Sequence, residues 1–157
     1  MKKHILLTGK PGIGKTSVIK KIALKLSSDA GGFFTEEIRI MGRRMGFRVV
    51  TLDGEEGILA HVDCFNRVAI PALEKALKEK SIIIVDEIGK MELFSDKFKE
   101  LINNILDSGK LLICVIMENR DVFTDRIKKR NDVNILTVDY NNREGLDEKV
   151  TGLMKGC

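Results

Sequence analysis

Residues 9–16 have the sequence Gly9-Lys10-Pro11-Gly12-Ile13-Gly14-Lys15-Thr16, a full match to the pattern G-x-x-x-x-G-K-[ST]. The apolar run Ile5-Leu6-Leu7-Thr8 before it predicts a buried strand, and apolar residues at helical spacing from Lys15 to Leu26 predict a helix after it. A glycine-rich turn between a strand and a helix lets several backbone N–H groups face one anion beside the positive helix end. The stretch therefore predicts a P-loop, a phosphate-binding turn in an α/β fold, against the alternative of a plain glycine-rich turn.

The chemistry of a P-loop assigns candidate roles within this stretch. We expect all of residues 9–16 to contact a nucleotide, although the Lys10 side chain is expected to be solvated. Lys15 would reach the β- and γ-phosphates, and the Thr16 hydroxyl would be a ligand of Mg²⁺. A nucleoside triphosphate and Mg²⁺ are thus the ligand and cofactor that the loop predicts.

Strand and helix patterns alternate along most of the remaining chain, which predicts an α/β fold with a mostly parallel central sheet flanked by helices. One domain over residues 1–157 is expected, with residues 33–60 as an antiparallel β-hairpin insert or an extension of the sheet. After residue 26, the first predicted elements are two extended segments within Phe33–Leu52 that turn at Gly42-Arg43-Arg44, followed by a short strand at Gly57–Ala60. Two helices and three strands come next: a helix with Pro71 in its first turn running to about Lys80, a strand at Ser81–Asp86, a helix capped by Ser95 and ended by Gly109, and strands at Leu111–Ile116 and Asn134–Val138. A further helix is predicted within Asp121–Arg130, between those last two strands, and Leu146 and Val150 mark a C-terminal helix.

Two acids end the second buried strand, Ile82-Ile83-Ile84-Val85-Asp86-Glu87. A P-loop site needs another acid at the carboxyl end of a neighbouring strand, and Asp86 fits that role by holding the Mg²⁺ shell. Glu87 fits a different role, orienting and polarising the attacking water. Because successive strand residues point to opposite sides, we expect the two carboxylates to do different jobs. The alternative is that both acids merely end a strand at the rim of the sheet.

The surroundings of these acids resemble one family. Asp86–Ser95 resembles the extended Walker B signature of the thermostable, or cancer-related, nucleoside-triphosphatases. Further segments similar to that family are Gly32–Arg39, Gly42–Phe47, Thr51–Gly54, Ala69–Ala76 and Asn142-Arg143. The chain departs from the family pattern in one place, where only His61–Val68 stands in a stretch that is usually longer and contains a glycine- and tyrosine-containing strand.

The resemblance implies a RecA-like P-loop NTPase fold and slow, Mg²⁺-dependent hydrolysis of ATP, GTP and other nucleoside triphosphates to the diphosphate and phosphate. It also implies nucleotide contacts at residues 9–16 and around Asp86 and Glu87. No guanine-binding N-K-x-D motif is present, so broad use of ATP, GTP, CTP and UTP is expected.

Four further residues are candidates for the site. Lys90 could bring positive charge to the γ-phosphate, or be an ordinary surface lysine. Asn119, followed by Arg120, could sense the γ-phosphate after the strand Leu111–Ile116. Asn142 and Arg143 follow the last strand and could flank the base, or Asn142 could cap a helix.

Composition sets limits on partners. Lys and Arg number 27 against 23 acids, a net charge of +4 that suits an anionic ligand or a solvated basic face. Four arginines on the hairpin, at 39, 43, 44 and 48, could bind nucleic acid, although a solvated hairpin is favoured because only Phe47 is interleaved among them. Three cysteines without C-x-x-C spacing and the absence of a long apolar run predict a cytoplasmic protein without disulfides, zinc or membrane contact, and a monomer is expected.

These observations leave three functions open. The first is hydrolysis of nucleoside triphosphates, with Lys15, Asp86 and Glu87 as catalytic residues. The second is a small-molecule kinase, disfavoured because its only candidate lid, Asn119–Arg130, is short and predicted to be helical. The third is a nucleotide-switched protein that binds nucleic acid through the hairpin arginines.

Overall fold

The computed structural model describes residues 3–58 and 62–155 and contains one seven-stranded sheet with helices on both faces. The strand order is β4-β3-β2-β5-β6-β1-β7, in which β2, β5, β6, β1 and β7 are parallel and β3 is antiparallel to both of its neighbours. The elements are β1 His4–Thr8, α1 Lys15–Leu26, β2 Ala30–Ile40, β3 Arg43–Thr51, β4 Glu56–Ile58, α2 Val62–Glu79, β5 Ile82–Ile88, α3 Asp96–Asp107, β6 Leu111–Ile116, α4 Val122–Lys128, β7 Val133–Thr137 and α5 Leu146–Lys155, with short 3₁₀ turns at Ser27–Asp29 and Glu92–Phe94.

Two apolar layers hold the helices against the sheet. On one face α2, α3 and α4 cover the sheet, and Phe33, Phe65 and Phe98 pack edge to face with ring centroids 5.3–6.2 Å apart. On the other face α1 and α5 pack through Ile19, Ile22 and Val150 among others. The continuous apolar runs of β1, β5 and β6 are explained by this arrangement, because both faces of those strands are buried.

The α/β architecture is confirmed, and the strand that precedes the P-loop is separated from the acid-bearing strand by β6. The helix at Lys15–Leu26, the Ser95 cap of α3 and the helix within Asp121–Arg130 are also found as expected. The hairpin turns at Met41-Gly42, just before the expected position, and β4 ends at Ile58. Leu59 and Ala60, the end of the expected short strand, lie outside the described residues.

The prediction that Pro71 lies in a first helical turn is wrong, because α2 begins at Val62 and Pro71 lies inside it. Proline removes one backbone hydrogen bond from a helix interior, yet Phe65, Ala69 and Ile70 before it are buried against the sheet, and Pro71 itself is exposed. Packing of that apolar face outweighs the local preference of proline. The segment 62–68, where the family pattern usually has a strand, therefore forms the first turns of a helix.

The hairpin belongs to the central sheet and is not a separate insert. The first half of β2 pairs in parallel with β5, from Ala30 opposite Ile82 to Phe34 opposite Asp86. Beyond Phe34 the strand continues past the end of this pairing and pairs only with β3. The hairpin therefore rises above the carboxyl edge of the sheet, beside Asp86.

No helix within residues 3–58 and 62–155 has the length and apolar character needed to cross a membrane.

Candidate active site

The predicted P-loop, residues 9–16, connects the end of β1 to α1, which begins at Lys15. Gly12 and Gly14 have φ angles of +76° and +112°, which side-chain-bearing residues rarely adopt. Ile13 between them is buried in the core beneath α1 and fixes the loop to the domain, and the Val18 N–H donates to the Gly14 carbonyl in the first helical turn. The loop therefore has a fixed backbone at the positive end of a helix.

An open cleft of about 690 Å³ lies above this loop at the carboxyl edge of the sheet. The sequence candidates that line it are Gly9, Pro11, Gly12, Lys15, Thr16, Asp86, Glu87, Lys90 and Asn119. Lys10 is exposed and, like Ile13 and Gly14, is not among the lining residues. The fold thus brings the loop, the acid pair and the end of β6 to one place.

Lys15 lines this cleft from the first turn of α1. Its ammonium group donates to the carbonyl oxygens of Gly9 and, at 3.2 Å, of Lys10. Burial raises the pKa values of both Asp86 and Glu87, and the Lys15 charge opposes part of this shift, which places Lys15 electrostatically close to the two acids. Because its side chain has a flexible stem, the Lys15 ammonium can move from these carbonyls to an anion that enters the loop.

Asp86 is 2% exposed, and its Oδ2 atom has no hydrogen-bond partner among the described residues. Burial raises its pKa to about 7, the Thr16 hydroxyl lowers it by hydrogen bonding, and the Glu87 carboxylate raises it. A buried, unpartnered carboxylate oxygen beside a hydroxyl is unfavourable by itself and suits a cation or a water molecule bound to one.

Glu87 is half-buried, and burial raises its pKa while Lys15 lowers it. The pairing of β5 with β6 shifts between Asp86 and Ile88, so Glu87 has no partner in the ladder. Both acids line the same cleft, at a point where the pairing of β5 with β6 is irregular. A Cβ atom at Gly89 would lie 2.6 Å from Glu87 Oε1, so only glycine at that position leaves the carboxylate in place.

The hairpin forms the opposite wall of the cleft, which the sequence did not predict. Its lining residues are Thr35, Glu36, Glu37, Arg44 and Phe47. Glu36 accepts from Lys20 of α1 at 2.5 Å and from Arg48 at 2.7 Å, and these bonds lower its pKa. The pairing of Phe34 with Asp86 places these residues above the acid pair, and no local pattern in the sequence indicates that register.

The remaining candidates divide into two groups. Lys90 and Asn119 line the cleft, whereas Asn142 and Arg143 do not. Asn142 donates from Nδ2 to the Thr137 carbonyl and accepts the Asp139 N–H, so it orders the loop after β7. Arg143 donates to the Ile13 carbonyl at 3.3 Å and thus contacts the P-loop from the side of β7.

Glu92 is a further buried acid close to the cleft, although it is not among the lining residues. It is 4% exposed, and burial raises its pKa to about 8; a hydrogen bond from its own backbone N–H opposes this shift, while the nearby Glu87 and Asp86 add to it. Three acids are therefore grouped at or near a cleft whose lining also carries the positive charges of Lys15, Lys20, Arg44 and Lys90.

The sequence model of the NTPase family matches residues 4–151, nearly the whole described chain. The chain belongs to this NTPase family. The nucleoside-triphosphatase THEP1 of Thermotoga petrophila is 46% identical to this NTPase over 96% of the chain and 92% of the relative. The cancer-related nucleoside-triphosphatase homolog of Mus musculus is 34% identical, with 93% of each chain covered.

Solved structures support the same relationship for this NTPase. The crystal structure of THEP1 from Aquifex aeolicus superposes with a TM-score of 0.85 at 36% identity, covering 96% of this chain and 98% of that one. The solution structure of a human cancer-related nucleoside triphosphatase has a TM-score of 0.82 at 31% identity, with 98% of both chains covered. The resemblance found in the extended Walker B segment is confirmed by these comparisons.

Proposed function

We propose that this NTPase hydrolyses nucleoside 5′-triphosphates, including ATP, GTP, CTP and UTP, to the diphosphate and phosphate, with Mg²⁺ and with slow turnover. The observation that carries the proposal is the meeting of Lys15, Asp86 and Glu87 in one cleft above a P-loop. The names of the relatives, nucleoside-triphosphatases from bacteria and a mouse, support the reaction class.

Thr16 and Asp86 are the residues that fit Mg²⁺. The unpartnered Asp86 Oδ2 and the neighbouring hydroxyl are oxygen donors of the kind that Mg²⁺ prefers, and phosphate oxygens and water would complete the shell. When bound, the ion supplies positive charge against the β- and γ-phosphate oxygens. A neighbouring cation would also keep Asp86 ionised, despite the burial that raises its pKa.

The P-loop and Lys15 bind and orient the triphosphate. Backbone N–H groups of residues 12–16 and the positive end of α1 stabilise its negative charge. The Lys15 ammonium would leave the Gly9 and Lys10 carbonyls for the β- and γ-phosphate oxygens, where it opposes charge that develops in the transition state.

Glu87 would position the attacking water. Its carboxylate is held over Gly89, and its raised pKa makes it a stronger base than an exposed glutamate. Accepting a hydrogen bond from water orients one lone pair of the water oxygen toward the γ-phosphorus. Asp86 would then bind the metal shell and Glu87 would position water, although both line the same cleft.

The lining of the cleft favours broad use of bases. Its polar groups converge on the acids and the P-loop, and strong discrimination between bases would need dedicated hydrogen bonds to a base edge.

Three of the four hairpin arginines form ion pairs with Glu36, Glu37 or Glu56, which reduces the positive charge available to nucleic acid. Hydrolysis is therefore favoured over a nucleic-acid-binding switch.

Phosphate release with ATP, GTP, CTP and UTP, each with and without Mg²⁺, tests the proposal. We expect Mg²⁺-dependent release for all four, within about tenfold of one another, or roughly 1.4 kcal/mol. A panel of nucleosides added to the ATP reaction tests the kinase alternative. A phosphorylated nucleoside, or a base preference above about a hundredfold, would contradict the proposal.

A further inference from the structure

The loop between β7 and α5 carries an exposed aromatic side chain beside the P-loop. Tyr140 is 75% exposed, the only tyrosine in the chain. The loop around it is ordered by hydrogen bonds, since the Asp139 carboxylate accepts the N–H groups of Asn141 and Asn142, and Asn142 returns to the Thr137 carbonyl. The ring is therefore presented to solvent by a structured turn.

Arg143 connects Tyr140 to the P-loop. Its guanidinium carbon lies 5.0 Å from the centroid of the Tyr140 ring, and its Nη1 donates to the Ile13 carbonyl at 3.3 Å. Its Cδ lies 3.6 Å from the point where a Cβ atom at Gly14 would be. Arg143 thus contacts both the Tyr140 ring and the phosphate-binding turn.

The strand order decides which end of a bound nucleotide faces Tyr140 and Arg143. The strands β6 and β5, with the acids of the cleft, lie on one side of β1, and β7 lies on the other. The γ-phosphate must face Glu87 if that residue orients the attacking water. The nucleoside is attached to the opposite end of the triphosphate, so it leaves the P-loop toward β7 and Tyr140.

We propose that the Tyr140 ring is the stacking platform for the base of the bound nucleotide, and that Arg143 positions this ring against the P-loop. The proposal rests on the proposed function, because it needs a triphosphate in the loop. Every base has a π-face, so stacking binds all four nucleotides and accounts for broad use without base-edge hydrogen bonds. Since larger ring systems stack more strongly, purine nucleotides bind somewhat more tightly than pyrimidine nucleotides.

Phe47 is the other aromatic side chain at the site and provides the competing location. It lines the cleft on the hairpin wall, with the Arg44 guanidinium 5.4 Å from its ring centroid. The hairpin lies on the acid side of β1, where the γ-phosphate is expected, and Phe47 packs partly against the core. Its position therefore fits a wall of the phosphate cleft and does not fit a base platform.

The absence of tryptophan makes Tyr140 a native reporter of base stacking, because it is the only strong fluorophore in the sequence. Wild-type protein is titrated with Mg·ADP and with Mg·pyrophosphate, which has no base, and tyrosine emission is recorded with correction for nucleotide absorption. We expect quenching by Mg·ADP at saturation and little change with saturating Mg·pyrophosphate. Equal responses to the two ligands would overturn the proposal.

Affinities of variants for the same two ligands, measured by calorimetry, locate the platform. We expect Tyr140→Ala to weaken Mg·ADP binding about 5- to 100-fold, while Mg·pyrophosphate binding changes less than about twofold. Tyr140→Phe retains the ring and is expected to restore the Mg·ADP affinity. Asn141→Ala is the matched control in the same loop, because the hydrogen bond recorded there for Asn141 is made by its backbone N–H.

Three results would overturn the base platform: unchanged Mg·ADP affinity in Tyr140→Ala, an equal loss for both ligands, or a selective loss of Mg·ADP affinity in Phe47→Ala with none in Tyr140→Ala. Failure of the proposed function looks different. In that case the wild-type protein releases no phosphate from ATP, GTP, CTP or UTP, and if it also binds neither Mg·ADP nor Mg·pyrophosphate, the platform proposal fails with it.

Discussion

For single residues, the site and its surroundings combine several cationic side chains, Lys15 among them, with three acids that are wholly or partly buried. Lys15 is held by loop carbonyls, while burial raises the pKa values of Asp86, Glu87 and Glu92. Buried acids are destabilising unless something compensates them, so residues of this kind indicate function more than stability. We therefore expect replacement of each of these side chains to change the activity or the stability of the protein measurably.

Replacing Lys15 by alanine should reduce hydrolysis by about 10²–10³-fold, since it removes the main positive charge from the β- and γ-phosphates. Nucleotide affinity should fall as well, because the ammonium binds the ground state and the transition state. Phosphate release and Mg·ADP affinity are the measurements, with Lys97→Ala on the exposed side of α3 as the control for loss of a lysine. Near-normal turnover in Lys15→Ala would remove the P-loop from the mechanism.

Glu92 makes stability depend on pH. Its pKa is raised from 4.5 to about 8 in the folded protein, so the unfolded chain loses this proton first as pH rises. The free energy of unfolding should therefore decrease between about pH 5 and pH 8, by roughly 3–5 kcal/mol for this group alone. Glu92→Gln cannot ionise at that position and should remove most of this decrease. Urea unfolding at several pH values checks this, and parallel curves for the two proteins would contradict it.

At the scale of elements, the hairpin β2–β3 has two roles. Its first half completes the parallel sheet against β5, and its second half forms the wall of the cleft. Gly32 lies within the parallel pairing, opposite Ile84 of β5 and with a φ of +129°. A Cβ atom there would lie 1.9 Å from the Ile84 carbonyl oxygen, so only glycine permits this register.

Gly32→Ala should destabilise the protein by about 3–5 kcal/mol, because backbone strain and forced separation of two paired strands add together. Gly42→Ala is the matched control, since Gly42 also has a positive φ of +77° but has no atom within 4 Å of its Cβ position. That variant should lose only about 1 kcal/mol. Equal losses in the two variants, measured by denaturant unfolding, would show that the close approach to β5 is unimportant.

The sequence predicted helices and strands best where the pattern of apolar residues had a single interpretation. The buried runs Leu111–Ile116 and Ile82–Asp86 and the helical stripe from Lys15 to Leu26 correspond to β6, β5 and α1. Pro71 led to an error because a local preference of the backbone was outweighed by packing of an apolar helix face, which the sequence shows only weakly. The pairing irregularity between Asp86 and Ile88 could not be predicted for a similar reason, since such irregularities depend on the neighbouring strand.

At the scale of the whole molecule, the strand order creates the site. The P-loop after β1, the acids at the end of β5 and Asn119 after β6 lie far apart in sequence but meet at one edge of the sheet. Parallel strands explain why the loop and the acids could be predicted together, because their carboxyl ends share an edge. The hairpin wall and Tyr140 could not be predicted, since their positions depend on which strands are neighbours and in which register.

In the proposed mechanism, Glu87 acts on water and Asp86 on the metal shell, within one cleft. The most direct test is Glu87→Gln, with Mg·ATP affinity and single-turnover hydrolysis measured on the same protein. Glu100→Gln on the exposed side of α3 controls for the loss of a carboxylate. We predict affinity within about threefold of the wild type and hydrolysis slower by about 10²–10⁴-fold, or roughly 3–5 kcal/mol in the barrier. Unchanged hydrolysis at unchanged affinity would contradict the account and remove Glu87 from the mechanism.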